Sequence, residues 1–366
     1  MAPVRGRAVL HIGLLKSGTS FIQHQIRHHS EALAEDGVLF PGGRTWRTQV
    51  TAVRDLLGTA HLGVVAEDRT KSWEWLAGEA ESWPGETVLV SMEFLSFAEP
   101  EQAKRAAESL RLRQVDVVVT VRDLARVVPA MWQESIQNRA DWSWRVYADS
   151  LRDRPEADPE PARAFWRQHD LPRILRTWVD VVGADHVTLV TVPQRGADPD
   201  LLWTRFCQAA GLDATRYPID PGSVNTSLGV AGTELMRRLS QASQNRLPRA
   251  VYLRHLKHFL AKDVLAKLDD DTFGLGADDQ EWAGERARRM VDEVRAVGVP
   301  VVGDLAELVP PSSAARRAPD QVDDSAVLDV AVEAILAFVE RLADRSADPV
   351  PGRSADAVSG LLADSE

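Results

Sequence analysis

One cysteine, Cys207, stands in a chain of 366 residues, so no disulfide can form within it and no cysteine-rich zinc site exists. Long apolar runs are missing as well. Nothing approaches the roughly 18 uninterrupted apolar residues that a membrane-spanning helix needs. The apolar run at 8–15 contains His11, stops at Lys16 and is short for a secretory signal. Excess positive charge is also lacking. The formal net charge is −11, which excludes a general nucleic-acid binder and leaves room only for a local basic pocket. There is no internal repeat, no H-E-x-x-H metal motif and no Gly-Lys-Ser/Thr of the kind that ends a Walker A loop. What remains is a chain of ordinary globular composition, expected to be cytoplasmic and long enough to bury a large core.

Residues 8–13, 87–91, 115–121 and 186–192 read as short apolar strands, and 37–40 as a shorter one. Helical patterns separate them at about 19–33, 66–83, 100–112, from 123 onward, and 171–182. Strands alternating with helices predict an α/β fold, a P-loop-type parallel sheet flanked by helices. Beyond about 198 the chain reads as mostly helical. Its last helix, at 325–343, carries Leu328, Val332, Ile335, Val339 and Leu342 as one apolar stripe, expected to pack on the body. One domain is expected over 1–345, with 346–366 a flexible tail. The acidic, proline-rich stretches 153–161 and 310–324 read as insertions.

The segment Gly13-Leu14-Leu15-Lys16-Ser17-Gly18-Thr19-Ser20 links the first strand to the first helix. A helix start presents unpaired N–H groups and the positive end of its dipole, so a strand–loop–helix junction is suited to an anion. Gly18 allows close backbone approach, Lys16 supplies charge, and Ser17, Thr19 and Ser20 supply hydroxyl donors. Lys16 precedes Gly18, which sets the loop apart from the Walker A order.

This loop resembles the 5′-phosphosulfate loop of sulfotransferases, usually Pro-Lys-[Ser/Thr]-Gly-Thr-[Ser/Thr], with Leu15 in place of the proline. A second segment, Val117-Val118-Val119-Thr120-Val121-Arg122-Asp123, is similar to the strand-end arginine motif that holds the 3′-phosphate in that superfamily. Its usual serine, eight positions on, is Ala130 here; Arg126 lies one helical turn along. Phe165-Trp166, Leu202-Trp203-Thr204-Arg205-Phe206, Asn225-Thr226-Ser227-Leu228-Gly229 and Val302-Gly303-Asp304-Leu305 extend the likeness to bacterial sulfotransferase-like proteins. The resemblance implies 3′-phosphoadenosine 5′-phosphosulfate (PAPS) as sulfuryl donor, held by Lys16, Ser17, Gly18, Thr19, Ser20 and Arg122, with no metal. It implies a small-molecule, glycan or lipid acceptor and no nucleic-acid partner. A binding protein of the same fold without turnover, or a relative of P-loop kinases, stands as the alternative.

Transfer to a hydroxyl or amine needs a base for the departing proton, and charge stabilisation at the leaving group, where Lys16 would act. Glu93 follows the strand at 87–91 and is the candidate base; His11 is its rival and reads equally as a buried, hydrogen-bonded support. His24 and His28 share a helix face but have no evident third ligand, and read as solvated. Trp132, Trp142 and Trp144 read as core, with an acceptor pocket as the alternative.

Overall fold

The computed structural model describes residues 6–43, 46–59, 72–153, 160–222, 227–268, 271–311 and 316–347. Six strands pair in one sheet: β1 (Arg7–His11), β2 (Val38–Leu39), β3 (Thr87–Ser91), β4 (Gln114–Val121), β5 (Val187–Thr191) and β6 (Val301–Val302). Their order is β2-β3-β1-β4-β5-β6, and every pairing is parallel. The α/β expectation holds.

The helices are α1 (Thr19–His28), α2 (Ser30–Glu35), α3 (Trp46–Leu56), α4 (Trp73–Ser82), α5 (Pro100–Glu108), α6 (Leu124–Gln137), α7 (Trp144–Asp153) and α8 (Ala162–His169). They continue as α9 (Leu171–Val182), α10 (Leu201–Ala210), α11 (Val230–Ser243), α12 (Arg249–Tyr252), α13 (Ala277–Val297) and α14 (Asp324–Ala347), with a π-helix at Leu253–Val264.

Strand alternation sends side chains to both faces, and both are covered, which is why the strands read as unbroken apolar runs. Ala8, Leu10, Val88, Val90, Val117, Val119 and Leu189 meet α3, α4, α5, α9 and α13 through residues such as Val53, Leu76, Ala103, Trp178 and Met290. Val9, Leu89, Val118 and Val190 meet α1 and α10 through Ile22, Ile26, Trp203 and Phe206. The two cores bury the middle of the sheet completely and leave its strand ends to carry polar groups.

The described chain divides into two compact units. The first holds the sheet and spans 1–136, 142–225 and 273–321. The second, helical in its described residues, spans 137–141, 226–272 and 322–366. Within the second, the Arg139 guanidinium donates to the carbonyls of Ser243, Gln244 and Leu247 at 2.6–2.8 Å and lies over the Tyr252 ring.

Two expectations need adjustment, and two others lie wholly or partly outside the described residues. The helix expected over 19–33 is interrupted at His29, where α1 gives way to α2. Of the helix expected over 66–83, residues 66–71 lie outside the described residues. So does the expected tail, except residues 346–347, which end α14. The stripe expected to pack α14 on the body faces outward: Leu328, Val332, Ile335, Val339 and Leu342 are 48–65% exposed. The helix packs by its other side, where Val327 and Ala334 are buried and Phe338 meets Phe259 edge-on at 5.1 Å. Both faces of α14 are apolar, and the inner one has the less regular spacing. Trp132 and Trp144 are core residues in T-shaped contact at 5.6 Å.

Candidate active site

The connection from β3 to β4 passes over β1, so strand order reverses around β1. In open parallel sheets, ligands bind at such a switch point beyond the carboxyl ends of the strands. Three chain segments converge there: the loop after β1, the turn after β3 and the end of β4.

The β1–α1 loop is built on the sheet. Ile12 and Leu14 extend the pairing with β4 by donating their N–H groups to Val118 O at 3.0 Å and Thr120 O at 2.8 Å. Ser17 N then turns back to Leu14 O at 3.2 Å. Two residues take the left-handed backbone that makes this reversal, Lys16 at φ 61° and Gly18 at φ 81°. Glycine suits position 18 twice over, since a Cβ there would also come 2.5 Å from Leu202 Cδ2. A left-handed lysine is uncommon, and such local strain gathers at functional sites. Gly18 is the N-cap of α1, and no side chain caps it. The first-turn N–H groups of α1 therefore lack both an intrahelical and a capping acceptor.

The Lys16 ammonium reaches Glu134 Oε2, on α6, at 2.9 Å. Ser17 is buried, and its hydroxyl turns to Leu15 O at 3.5 Å. The Thr19 hydroxyl turns to Leu14 O at 3.4 Å, whereas Ser20 is exposed.

Arg122 follows β4 directly. It makes one long contact to the same loop, Nη1 donating to Lys16 O at 3.4 Å, and its buried Nε has no partner. Burial and the nearby positive charges of Arg126 and Arg195 push its pKa down to about 10, against the opposing effect of Asp123. A half-buried, under-bonded guanidinium among other guanidiniums is costly unless an anion joins it. Arg126 adds charge but its donors are engaged, with Asp123 and with the carbonyls of Pro193 and Val192 at 2.9 and 3.3 Å. Ala130 is half-buried on α6, two turns into the helix.

Glu93 opens the short 3₁₀ turn after β3. The Gln23 amide, on α1, donates to Glu93 Oε2 at 3.1 Å and to Ser91 O at 2.9 Å, fixing the carboxyl beside the loop. Burial raises the Glu93 pKa, opposed by hydrogen bonds to its own backbone and Gln23 and by the charge of Lys16; the Glu134 carboxylate raises it further. The edge thus presents two carboxyls and one ammonium in mutual electrostatic range. His11 sits deeper. Its Nδ1 is 2.8 Å from Ser91 Oγ and its Nε2 3.1 Å from Thr120 Oγ1, which joins β1 to β3 and β4. Burial lowers its pKa to about 3, so it is a neutral strut at ordinary pH.

The sequence-based candidates Lys16, Ser17, Gly18, Thr19, Ser20, Glu93 and Arg122 are brought to one edge. Gln23 and Glu134 were missed. Gln23 had a signal, one helical turn after Thr19 on the loop-bearing helix; Glu134 had none, since its relation to Lys16 is tertiary. His24 and His28 share Asp220, at 2.8 and 3.3 Å. Among the described residues no group of three His, Cys, Asp or Glu side chains is arranged to hold a metal ion, and no helix is long and apolar enough to cross a membrane.

No protein-family model matches the chain, and the search of curated proteins found no match. Among solved structures, a sulfotransferase from Alicyclobacillus acidocaldarius is similar over 70% of this chain and 96% of its own, at 16% identity and a TM-score of 0.40. A likeness that weak carries no argument about function.

Proposed function

We propose that this chain is a PAPS-dependent sulfotransferase, moving a sulfuryl group to a hydroxyl or amine of a small-molecule, glycan or lipid acceptor. The observation that carries the reading is a pair of separate anion-seeking groups at one sheet edge. One is the uncapped start of α1 with Lys16; the other is the buried Arg122 Nε without a partner. A donor with a 5′-phosphosulfate and a distinct 3′-phosphate answers both. A nucleotide with one phosphate chain answers only the first.

In this reading the loop N–H groups and Lys16 hold the 5′ group and Arg122 holds the 3′-phosphate. The acceptor oxygen attacks sulfur, the bond from sulfur to the 5′-phosphate oxygen breaks, and its electron pair stays on that oxygen beside Lys16. The acceptor proton passes to Glu93, whose burial makes it a stronger base than an ordinary carboxylate. Lys16 must first exchange its contact with Glu134 for the anion.

Titration calorimetry with 3′-phosphoadenosine 5′-phosphate against ATP tests the reading. Tight binding of the first and none of the second is expected; the reverse preference overturns it. Transfer of labelled sulfate from PAPS to an acceptor panel then separates an enzyme from a binder. The second reading, a nucleotide-binding protein without turnover, draws on Ala130, where the superfamily's usual serine hydroxyl is missing.

A further inference from the structure

The outward face of α14 carries Leu328, Val332, Ile335, Leu336, Val339 and Leu342, each 48–65% exposed. Scattered exposed apolar residues are ordinary, but a continuous row along one helix is not. The steps 328, 332, 335, 339 and 342 alternate four and three residues. That repeat averages about 3.5 residues, the spacing of a helix–helix seam rather than of the broader face a helix turns to a globular core. The core-facing side is a different set, Val327, Ala334 and Phe338, so the outward row is surplus to the packing of its own unit.

We infer that a second copy of this chain covers this face, with the two α14 helices packed antiparallel about a twofold axis near Ile335 and Leu336. Two features select that occupant. The row is nearly the same read from either end. A twofold axis between 335 and 336 sets Val332 against Val339 of the second copy and Ile335 against its Leu336, the self-complementarity that an isologous interface requires. Charge selects the direction. A parallel pair would set Asp329 level with Asp329 and Glu333 level with Glu333, whereas the antiparallel pair separates these like charges and opposes the helix dipoles. The area suffices: each side chain leaves on the order of 100 Å² uncovered, so two copies would bury about 1,200 Å², the lower end of stable specific interfaces.

Sedimentation velocity on the full chain from about 1 to 50 µM covers the affinity expected of such an interface. A reversible dimer is expected, and Ile335→Glu should weaken it at least about 100-fold. Because residue 335 is exposed, the variant should keep its circular dichroism spectrum. Direction is tested by mixing Val332→Cys and Val339→Cys proteins under mild oxidation; Cys207 is buried and does not interfere. The two variants should cross-link to each other and neither to itself. A monomeric wild type, a dimer indifferent to Ile335→Glu, or self-linking by either cysteine variant overturns the inference. So does a wild type that dimerises only after removal of residues 348–366, which would make that segment the occupant.

Discussion

Two arginines bracket β4. Arg113 precedes it at the amino edge of the sheet, and Arg122 follows it at the carboxyl edge. Arg113 is buried, and its guanidinium donates to four carbonyls: Ala80 at 3.1 Å, Trp83 at 2.6 Å, Gly85 at 3.1 Å and Glu86 at 3.3 Å. Those contacts tie the end of α4 and the entry to β3 onto β4. Arg122 makes one contact at 3.4 Å and leaves its Nε unmet. The same residue type on the same strand therefore fastens the fold at one edge and stays under-bonded at the other. Glu93 belongs with Arg122: it too is an ionisable group held at the carboxyl edge where burial disfavours its charge. Uncompensated groups of this kind reduce stability, and they persist where a ligand completes them.

Four substitutions sharpen the contrast, from the largest expected effect to the smallest. Glu93→Gln should lower kcat by about 10²–10⁴-fold, the usual worth of a positioned base. It should also raise the melting temperature at neutral pH, because the raised pKa means that the charged form opposes folding. The sign follows from linkage. The native state holds the Glu93 proton more tightly than the unfolded chain, so this residue's favourable contribution is present in acid and lost as pH rises through its native pKa. The stability gap between wild type and Glu93→Gln should therefore close as pH falls below the ordinary carboxylate range, and a gap that stays constant with pH would remove this basis for the base assignment.

Arg113→Met should cost on the order of 4 kcal/mol in chemical denaturation, because several buried carbonyls lose their donors at once. Nucleotide affinity of the folded fraction should be unchanged. Arg122→Met should do the opposite. Stability should hold or rise, while binding of 3′-phosphoadenosine 5′-phosphate weakens by about 1.5–3 kcal/mol and adenosine 5′-phosphosulfate, which lacks the 3′-phosphate, is barely affected. Equal losses for both nucleotides would show that Arg122 does not read the 3′-phosphate. Ala130→Ser is the smallest. A restored hydroxyl should tighten that nucleotide by about 1 kcal/mol where water does not already fill the gap, measured by titration at matched salt.

The sheet was legible because its strands are buried on both faces: β3 and α9 fall on the residues expected, and β4 within one. β6 is only two residues long and offers no periodicity. The π-helix at Leu253–Val264 has no compositional sign, since its hydrogen-bond step differs from an α-helix without a change of residue type. On α14 two apolar faces compete, and sequence cannot say which one its own unit covers. Lys16, Glu93 and Arg122 were legible from strand ends and loop pattern. Glu134, facing Lys16 across the site, was not, because nothing local links position 134 to position 16.

The central place of β1 has a consequence for the order in which the protein is made. Arg7 aligns with Thr87 on one side and Gln114 on the other, so β1 leaves the ribosome before either neighbour and waits for both. Synthesis proceeds at about 5–20 residues per second, so β1 and its loop spend several seconds exposed before β3 and β4 arrive to flank them. The Leu14 N–H, two residues before the left-handed Lys16, has no Thr120 carbonyl to donate to until β4 has been made. The loop from 13 to 20 is thus made early and assembled late, and a nascent chain halted before residue 121 cannot complete the sheet edge proposed to hold the nucleotide.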